Sequence, residues 1–376
     1  MRIGILTFHA SHNYGSMLQA FALQHYLKGM GHDVETINLR NDAQKDFYHY
    51  PLRPVKGKYE NFIKDILSPK WLYHECRKWR KYEAFLEKNL CLTNKVYKFW
   101  EEIEQDLDNL KYDSLITGGD QIWNVKCIDF DKSYFLPSQL PDIKKISYSP
   151  SFGNSLPRLS DEDKMFIKTH LADYNHISVR EQSMKDYLSS EIDNRIDVVA
   201  DPTLLLRAKD YDGLISEKPI IKGKYAYYYS PQGDLNLERL AFLIGEKYGL
   251  NVYTSFPHRY RNTGLKPVYD AGPSEFLNLV KNADLVIGRS YHLVVFSILF
   301  HKEFIALSGD KDKRMSNILS SLNLLERGSV NDNNLDRIPF KSIDYQIIDN
   351  IIDSNRQESQ SYLKSILGCP QQTRIS

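Results

Sequence analysis

Between Asp284 and Phe300 the chain runs from an apolar triplet, Leu285-Val286-Ile287, into Gly288. Arg289, Ser290, Tyr291 and His292 follow, and then apolar residues again. A short apolar run closed by glycine reads as a buried strand of a parallel sheet, and the apolar stretch after it as a buried helix. The polar cluster then falls where strand ends and helix begins. In open α/β sheets that crevice takes ligands, because helix N-terminal N–H groups face it and favour anions. This segment therefore points to a parallel α/β fold and marks a candidate site. His292 has two readings there: a satisfied core histidine, or an imidazole that moves a proton near neutral pH.

The rest of the chain repeats the alternation. Residues 3–8 read as a strand, 9–15 as a polar loop, and Met17, Leu18, Phe21, Leu23 and Leu27 recur at helical spacing before 34–39 resumes as a strand. That is a βαβ unit. Further strands are expected at 112–117, 145–149, 176–180 and 197–201, then at 224–229, 251–255, 285–288 and 304–307. Helices are expected at 236–248, 274–282, 314–325 and 343–368. With 376 residues, two domains are expected. We assign 1–207 to an N-terminal Rossmann-like domain and 208–345 to a C-terminal one, the two facing a cleft. Residues 346–376 form a terminal helix that packs back on the first domain. Residues 51–90 interrupt the pattern with one or two amphipathic helices, basic and aromatic in character. Their 70–88 portion is either a solvated helix face or an interfacial surface for anionic headgroups or a lipid-linked acceptor.

Net charge is +1, so no global field argues for nucleic acid. Cys76, Cys91, Cys127 and Cys369 are scattered, which suits a reducing compartment and argues against a disulfide framework or a cysteine zinc site. His9, His12 and His176 lack metal-ligand spacing, and no metal or cofactor is expected. Neither a signal peptide nor a membrane span is apparent. A cytoplasmic protein is expected, with the inner face of the cell membrane as the variant.

Four further places carry candidate chemistry, each with two readings. Asn13, Tyr14, Gly15 and Ser16 either cradle a phosphate or sugar, or form an ordinary βα turn with an Asn cap. No G-x-G-x-x-G follows the first strand. Gly118 and Gly119 let a ligand approach the backbone, with Asp120 as base or hydroxyl ligand, or the three form a turn with Asp capping a helix. Arg180, at a strand end, is either a carboxylate or phosphate fork or a salt-bridge partner of Glu181 or a loop carboxylate. Arg289 has the same two readings.

Ordered blocks of the sequence resemble the polysaccharide pyruvyl transferase family. They are Ile3-Gly-Ile-Leu-Thr-Phe-His9, Asn13-Tyr-Gly-Ser-Met-Leu-Gln-Ala20, Gly118-Gly-Asp-Gln-Ile-Trp-Asn124, Ile177-Ser-Val-Arg-Glu181, Val198-Val-Ala-Asp-Pro-Thr-Leu204 and Ser290-Tyr-His-Leu-Val-Val-Phe-Ser-Ile298, with Arg314 and Arg327 beyond. The resemblance implies a GT-B-like fold and transfer of pyruvate from phosphoenolpyruvate onto two hydroxyls of a sugar, free or in a lipid-linked oligosaccharide, as a ketal for a surface polysaccharide. It places phosphoenolpyruvate at Arg180, His292 and the backbone of Ser290, Tyr291, His292 and Leu293. Arg289 would add an anion clamp. His292 would act as general acid and Asp120 as hydroxyl base or sugar ligand. The chain departs from the family at Leu293, where glycine is usual, and at Arg289, where an acidic residue is common. These departures keep two alternatives open: a nucleotide-sugar glycosyltransferase, and a non-catalytic glycan-binding module.

Overall fold

The computed structural model describes residues 1–368 apart from 139, 141, 260, 331 and 339. Two fully parallel sheets organise it. The first contains β1 (Arg2–Leu6), β2 (Asp33–Thr36), β3 (Ser114–Gly118), β4 (Lys144–Tyr148), β5 (His176–Val179) and β6 (Ile196–Val198), in the order β2-β1-β3-β4-β5-β6. The second contains β7 (Tyr225–Tyr229), β8 (Asn251–Thr254), β9 (Lys266–Pro267), β10 (Leu285–Gly288) and β11 (Glu303–Ala306), in the order β11-β10-β7-β8-β9. The expected strands all form, mostly a residue or two shorter. Only the two-residue β9 lay outside the sequence reading. Its Lys-Pro pair is too short to carry an alternation signal.

The apolar runs are buried on both faces of each sheet, as parallel strands require. Leu285, Val286 and Ile287 are each nearly inaccessible. The strand order reverses direction between β1 and β3 in the first sheet, and between β7 and β10 in the second.

Six helices matter for the site. α1 (Tyr14–Gly29) is buried around most of its circumference, because it packs both on the first sheet and against elements of the second half. The insertion forms α2 (Tyr59–Ile66) and α3 (Pro69–Asn89). α4 (Tyr291–Leu299) follows β10 and is buried along its whole length, and α5 (Lys313–Ser321) follows β11. α6 (Tyr345–Leu367) lies on the first half of the chain: Leu363 and Leu367 join the cluster of Ile3, Ile5, Leu23 and Val34. Ser359 Oγ accepts from the Ala200 N–H at 2.9 Å, and Arg356 Nε donates to the Leu204 carbonyl at 2.8 Å. The last stretch of the expected terminal region, 369–376, lies outside the described residues.

The aromatic side chains of α3 turn mostly inward. Tyr82 and Phe85 are buried with Tyr14 and Phe276, Trp79 Nε1 donates to the Tyr48 carbonyl at 2.9 Å, and only Tyr73 stands well exposed. This differs from the interfacial reading of 70–88. The helix is wedged between the halves, and Arg77 and Lys81 bond Asp270 and Glu275 of the second half.

Candidate functional site

A cavity of about 350 Å³ opens at both switch points. Its walls come from the loops after β1, β3, β7, β10 and β11, so the strand carboxyl ends of both sheets address one space. Phe8, Asn13 and Ser16 enter after β1, and Asp120, Gln121 and Asn124 after β3. Arg289, Ser290, Tyr291 and His292 enter after β10.

Three helix N-termini converge there, and two are already satisfied. Asn13 caps α1 by accepting from the N–H groups of Gly15 and Ser16. Asp312 caps α5 by accepting from Arg314 and Met315. At α4 the N-cap residue is Ser290, and its side chain makes no capping bond. The first-turn N–H groups of α4 are therefore left for a ligand, and an anion is favoured there. Arg289 stands beside them, half-buried, with no side-chain hydrogen bond or ion pair among the described residues. Arg314 is held in the wall by a two-pronged bond to Asp312, 3.1 and 2.8 Å.

The opposite wall is acidic. Asp120 sits in a left-handed turn with φ 51°, its backbone carbonyl accepting from the Ser151 N–H. One carboxylate oxygen accepts from the Gln121 N–H at 2.9 Å, and the other accepts from the Ser16 hydroxyl. Asp129 lies deeper, bonded to Tyr48 and Gln44, and burial raises its carboxyl above the usual range. The cavity thus has a cationic, N–H-rich side on the second half and a carboxylate side on the first.

His292 lies between them. A Cβ added at Gly15 would meet its Nδ1 at 2.0 Å and its Cγ at 2.3 Å, so the absence of a side chain at 15 is what lets the imidazole lie against α1. Its Nε2 faces Asp201 at 3.6 Å, an ion-pair separation longer than a hydrogen bond. Asp201, at the end of the β6 segment, is completely buried. Burial pushes its carboxyl up, but His292, Arg180 and Thr203 outweigh burial and hold it well below the usual range. Sequence reasoning left Asp201 as a strand stop. Its signal was the Asp-Pro-Thr step, in which the carboxylate accepts from Thr203 N and Oγ1.

Several sequence candidates fall elsewhere. Arg180 does not line this cavity. Its Nε donates to Glu181 at 2.9 Å, its Nη1 to Asp201 at 2.7 Å, and its guanidinium lies 4.5 Å from the Tyr291 ring centre. It borders a neighbouring cavity of about 540 Å³ that shares Tyr291 and Arg314 with the first. Arg180 is thus a salt-bridge partner of Glu181 and Asp201, with its Nη2 left unpartnered. Gly118 and Gly119 are buried and do not line the cavity: a Cβ on Gly118 would strike the Tyr148 carbonyl at 2.1 Å, and Gly119, at φ 71°, faces Gln19. They are small so that β3 can sit against β4 and α1. Tyr14 is buried, donates to the Ala271 carbonyl at 3.0 Å and stacks on Phe276, which makes it a joint between the halves. The Leu293 side chain is in the core, and Leu293 does not line the cavity. Asp129, Asp312 and Arg314 were not singled out as cavity residues from sequence. The Asp312-Lys-Arg step before an apolar-periodic helix is the cap signal that could have flagged two of them.

Beside this cavity runs an open groove of about 630 Å³, which shares Asn13, Pro231 and Gln232 with it. Rings of Tyr48, Trp71, Trp79, Tyr229 and Phe256 line it. Lys78 is buried in its wall, with Nζ donating to the Ser255 carbonyl at 3.2 Å and 3.4 Å from the Phe256 ring centre. Burial lowers its ammonium pKa to about 8. Among the described residues no group of His, Cys, Asp or Glu is arranged to hold a metal, and no helix is long and apolar enough to cross a membrane.

Comparison with known proteins gives a family model, polysaccharide pyruvyl transferase, matching residues 13–311. No curated protein matches the sequence. Similar solved structures include the UDP-GlcNAc 2-epimerase of Methanocaldococcus jannaschii with UDP-GlcNAc and UDP, at 15% identity over 98% of this chain and 99% of that one, TM-score 0.51. S. aureus MnaA with UDP is 12% identical over 96% of this chain and 90% of its own, TM-score 0.50. AviGT4, a glycosyltransferase involved in avilamycin A biosynthesis, is 11% identical over 98% of both chains, TM-score 0.50. At these identities the likeness speaks to fold, and the fold is GT-B-like.

Proposed function

The chain belongs to the polysaccharide pyruvyl transferase family, and on that premise we propose that it moves pyruvate from phosphoenolpyruvate onto two hydroxyls of a sugar, closing a cyclic ketal. The division of the cavity into a cationic side and a carboxylate side carries this reading. Phosphoenolpyruvate bears a phosphate and a carboxylate. The open N-terminus of α4, Arg289 and Arg314 are suited to both. A sugar presents hydroxyls, which carboxylates accept, and Asp120 faces the donor across the space.

In this reading His292, as imidazolium with Asp201 as its counter-charge, delivers a proton to the methylene carbon of phosphoenolpyruvate. C2 becomes cationic, and the first sugar hydroxyl adds there as Asp120 takes its proton. The C2–O bond to phosphate then breaks and phosphate leaves. The second hydroxyl adds to the same carbon, loses its proton, and closes the ring. General acid transfer of this type is worth about 10²–10⁴-fold in rate. Arg180 acts through others in this scheme: it fixes Asp201 and supports the Tyr291 ring beneath the site. The aromatic groove receives the rest of the acceptor, since ring faces offer flat apolar surface to the C–H faces of sugars.

The test is calorimetric titration of phosphoenolpyruvate into wild type, Arg289→Ala and His292→Ala, with a UDP-sugar as comparator. Binding of phosphoenolpyruvate that weakens at least tenfold in Arg289→Ala supports the reading. Binding of the UDP-sugar alone would overturn it in favour of a glycosyltransferase.

A further inference from the structure

Seven of the fifteen large apolar side chains that stand exposed among the described residues fall between positions 47 and 73. This short part of the chain therefore carries nearly half of them. Four belong to α2 and the residue after it. Tyr59, Ile63, Ile66 and Leu67 recur at i, i+4, i+7 and i+8, which puts them on one helix face, and Leu67 is 75% exposed. A soluble helix of this spacing ordinarily turns such a face to the core. Here it faces away from the protein, with Leu52 and Tyr73 exposed nearby in the chain. Contiguous exposed apolar surface of this kind marks an interaction site.

Charge selects the occupant. Arg53, Lys56, Lys64 and Lys70 are exposed in the same stretch, and Lys58 is half-buried. Of these, Lys64 meets Glu60 only at 3.9 Å and Arg53 bonds Asp46 at an exposed site, so both stay largely solvated. A second copy of this chain would set the same basic ring against itself. An apolar helix face with flanking Lys and Arg is instead the pattern of a helix lying in the headgroup plane of an anionic bilayer.

The position of this face gives it a use. Phe47, Pro51, Asp65 and Trp71, which flank or belong to these helices, line the aromatic groove that leads to His292 and Asp120. We propose that α2 docks the protein on an anionic membrane surface and so sets the mouth of the groove against lipid-linked acceptor glycans. The docking stands on the exposed face alone. The identity of the acceptor as lipid-linked rests on the transfer reading above.

Sedimentation of the full chain with phosphatidylcholine vesicles, with and without phosphatidylglycerol, tests it. Wild type should bind the anionic vesicles and release as salt is raised. Ile63→Ser with Leu67→Ser should weaken binding at least tenfold, and Lys64→Glu with Lys70→Glu should remove the preference for phosphatidylglycerol. All four positions are exposed, so phosphoenolpyruvate titration of the same variants should match wild type. Absence of wild-type binding to anionic vesicles, or equal binding by Ile63→Ser/Leu67→Ser, would overturn the proposal. If vesicles bind but phosphoenolpyruvate does not, the docking face stands and the transfer reading falls.

Discussion

Replacing Gly15 by alanine tests whether that glycine is what seats His292 against α1. The added Cβ would lie 2.0 Å from Nδ1 of His292, whereas ordinary contact begins at 3.4 Å. The imidazole must therefore retreat by about 1.4 Å, toward the buried Asp201 side. A displacement of about 1 Å in a catalytic group can cost about 10²-fold in rate, or about 2.7 kcal/mol of transition-state stabilisation. The backbone offers no resistance of its own, because Gly15 is not among the glycines with positive φ. It sits in the first turn of α1, where alanine is the better helix former by up to about 1 kcal/mol. Against that gain, overpacking the buried His292 costs about 1–3 kcal/mol, so the melting temperature should fall modestly, while phosphate release from phosphoenolpyruvate with glycan acceptor should fall about a hundredfold. Calorimetric melting and a phosphate assay on the same preparations decide it. Wild-type turnover with wild-type stability would refute the idea that Gly15 seats His292. Loss of stability without loss of specific activity would refute it as well.

Asp201→Asn should destabilise the protein by about 3–5 kcal/mol in denaturant melts, since it strips one partner from a buried Arg180. The folded Asp201 carboxyl lies below its unfolded value of about 3.9, so its contribution is present above that pH and lost as pH falls through the folded value; the variant should lack this acid-side slope. Arg180→Ala should likewise lower the melting temperature, leaving buried Glu181 without its cationic partner and Asp201 with only His292 as counter-charge, and a variant of unchanged stability would contradict the geometry. Lys78 gives a slope of the same sign on the alkaline side: its ammonium pKa, near 8 when folded, lies below its unfolded value, so stability should rise between about pH 8 and pH 10.4. Lys78→Met should flatten that rise in denaturant midpoints measured across the range.

The parts of the site that could be read in sequence are those set by local order. Arg289 to His292 lie between an apolar strand and an apolar helix, and chain order alone puts them at a crevice. The same holds for Asn13 and for Asp120. What escaped was set by neighbours far along the chain. Arg180 is tied to Asp201 because β5 and β6 are adjacent, and that adjacency follows from the sheet, not from either residue's surroundings. Gly118 and Gly119 look like ligand glycines until β4 supplies the Tyr148 carbonyl against them. The aromatic residues of α3 have helical spacing whether they face lipid or a second domain; only the packing of Tyr82 and Phe85 distinguishes the two. The fold itself was legible because each apolar run expected to be a strand did become one, in a parallel sheet.

The helix that returns to the first half has a mechanical consequence. Because α6 is anchored at Leu204, Ala200 and the first-sheet cluster, the main chain passes between the halves twice, once before β7 and once before α6. A single tether would leave one half free to twist and slide over the other. Two crossings, together with the packed seam of Tyr14, Tyr82 and Phe276, tie the halves to one another at several points. Asp120 and Arg289, which line one cavity from opposite halves, therefore stand on a frame that is pinned on more than one side of them.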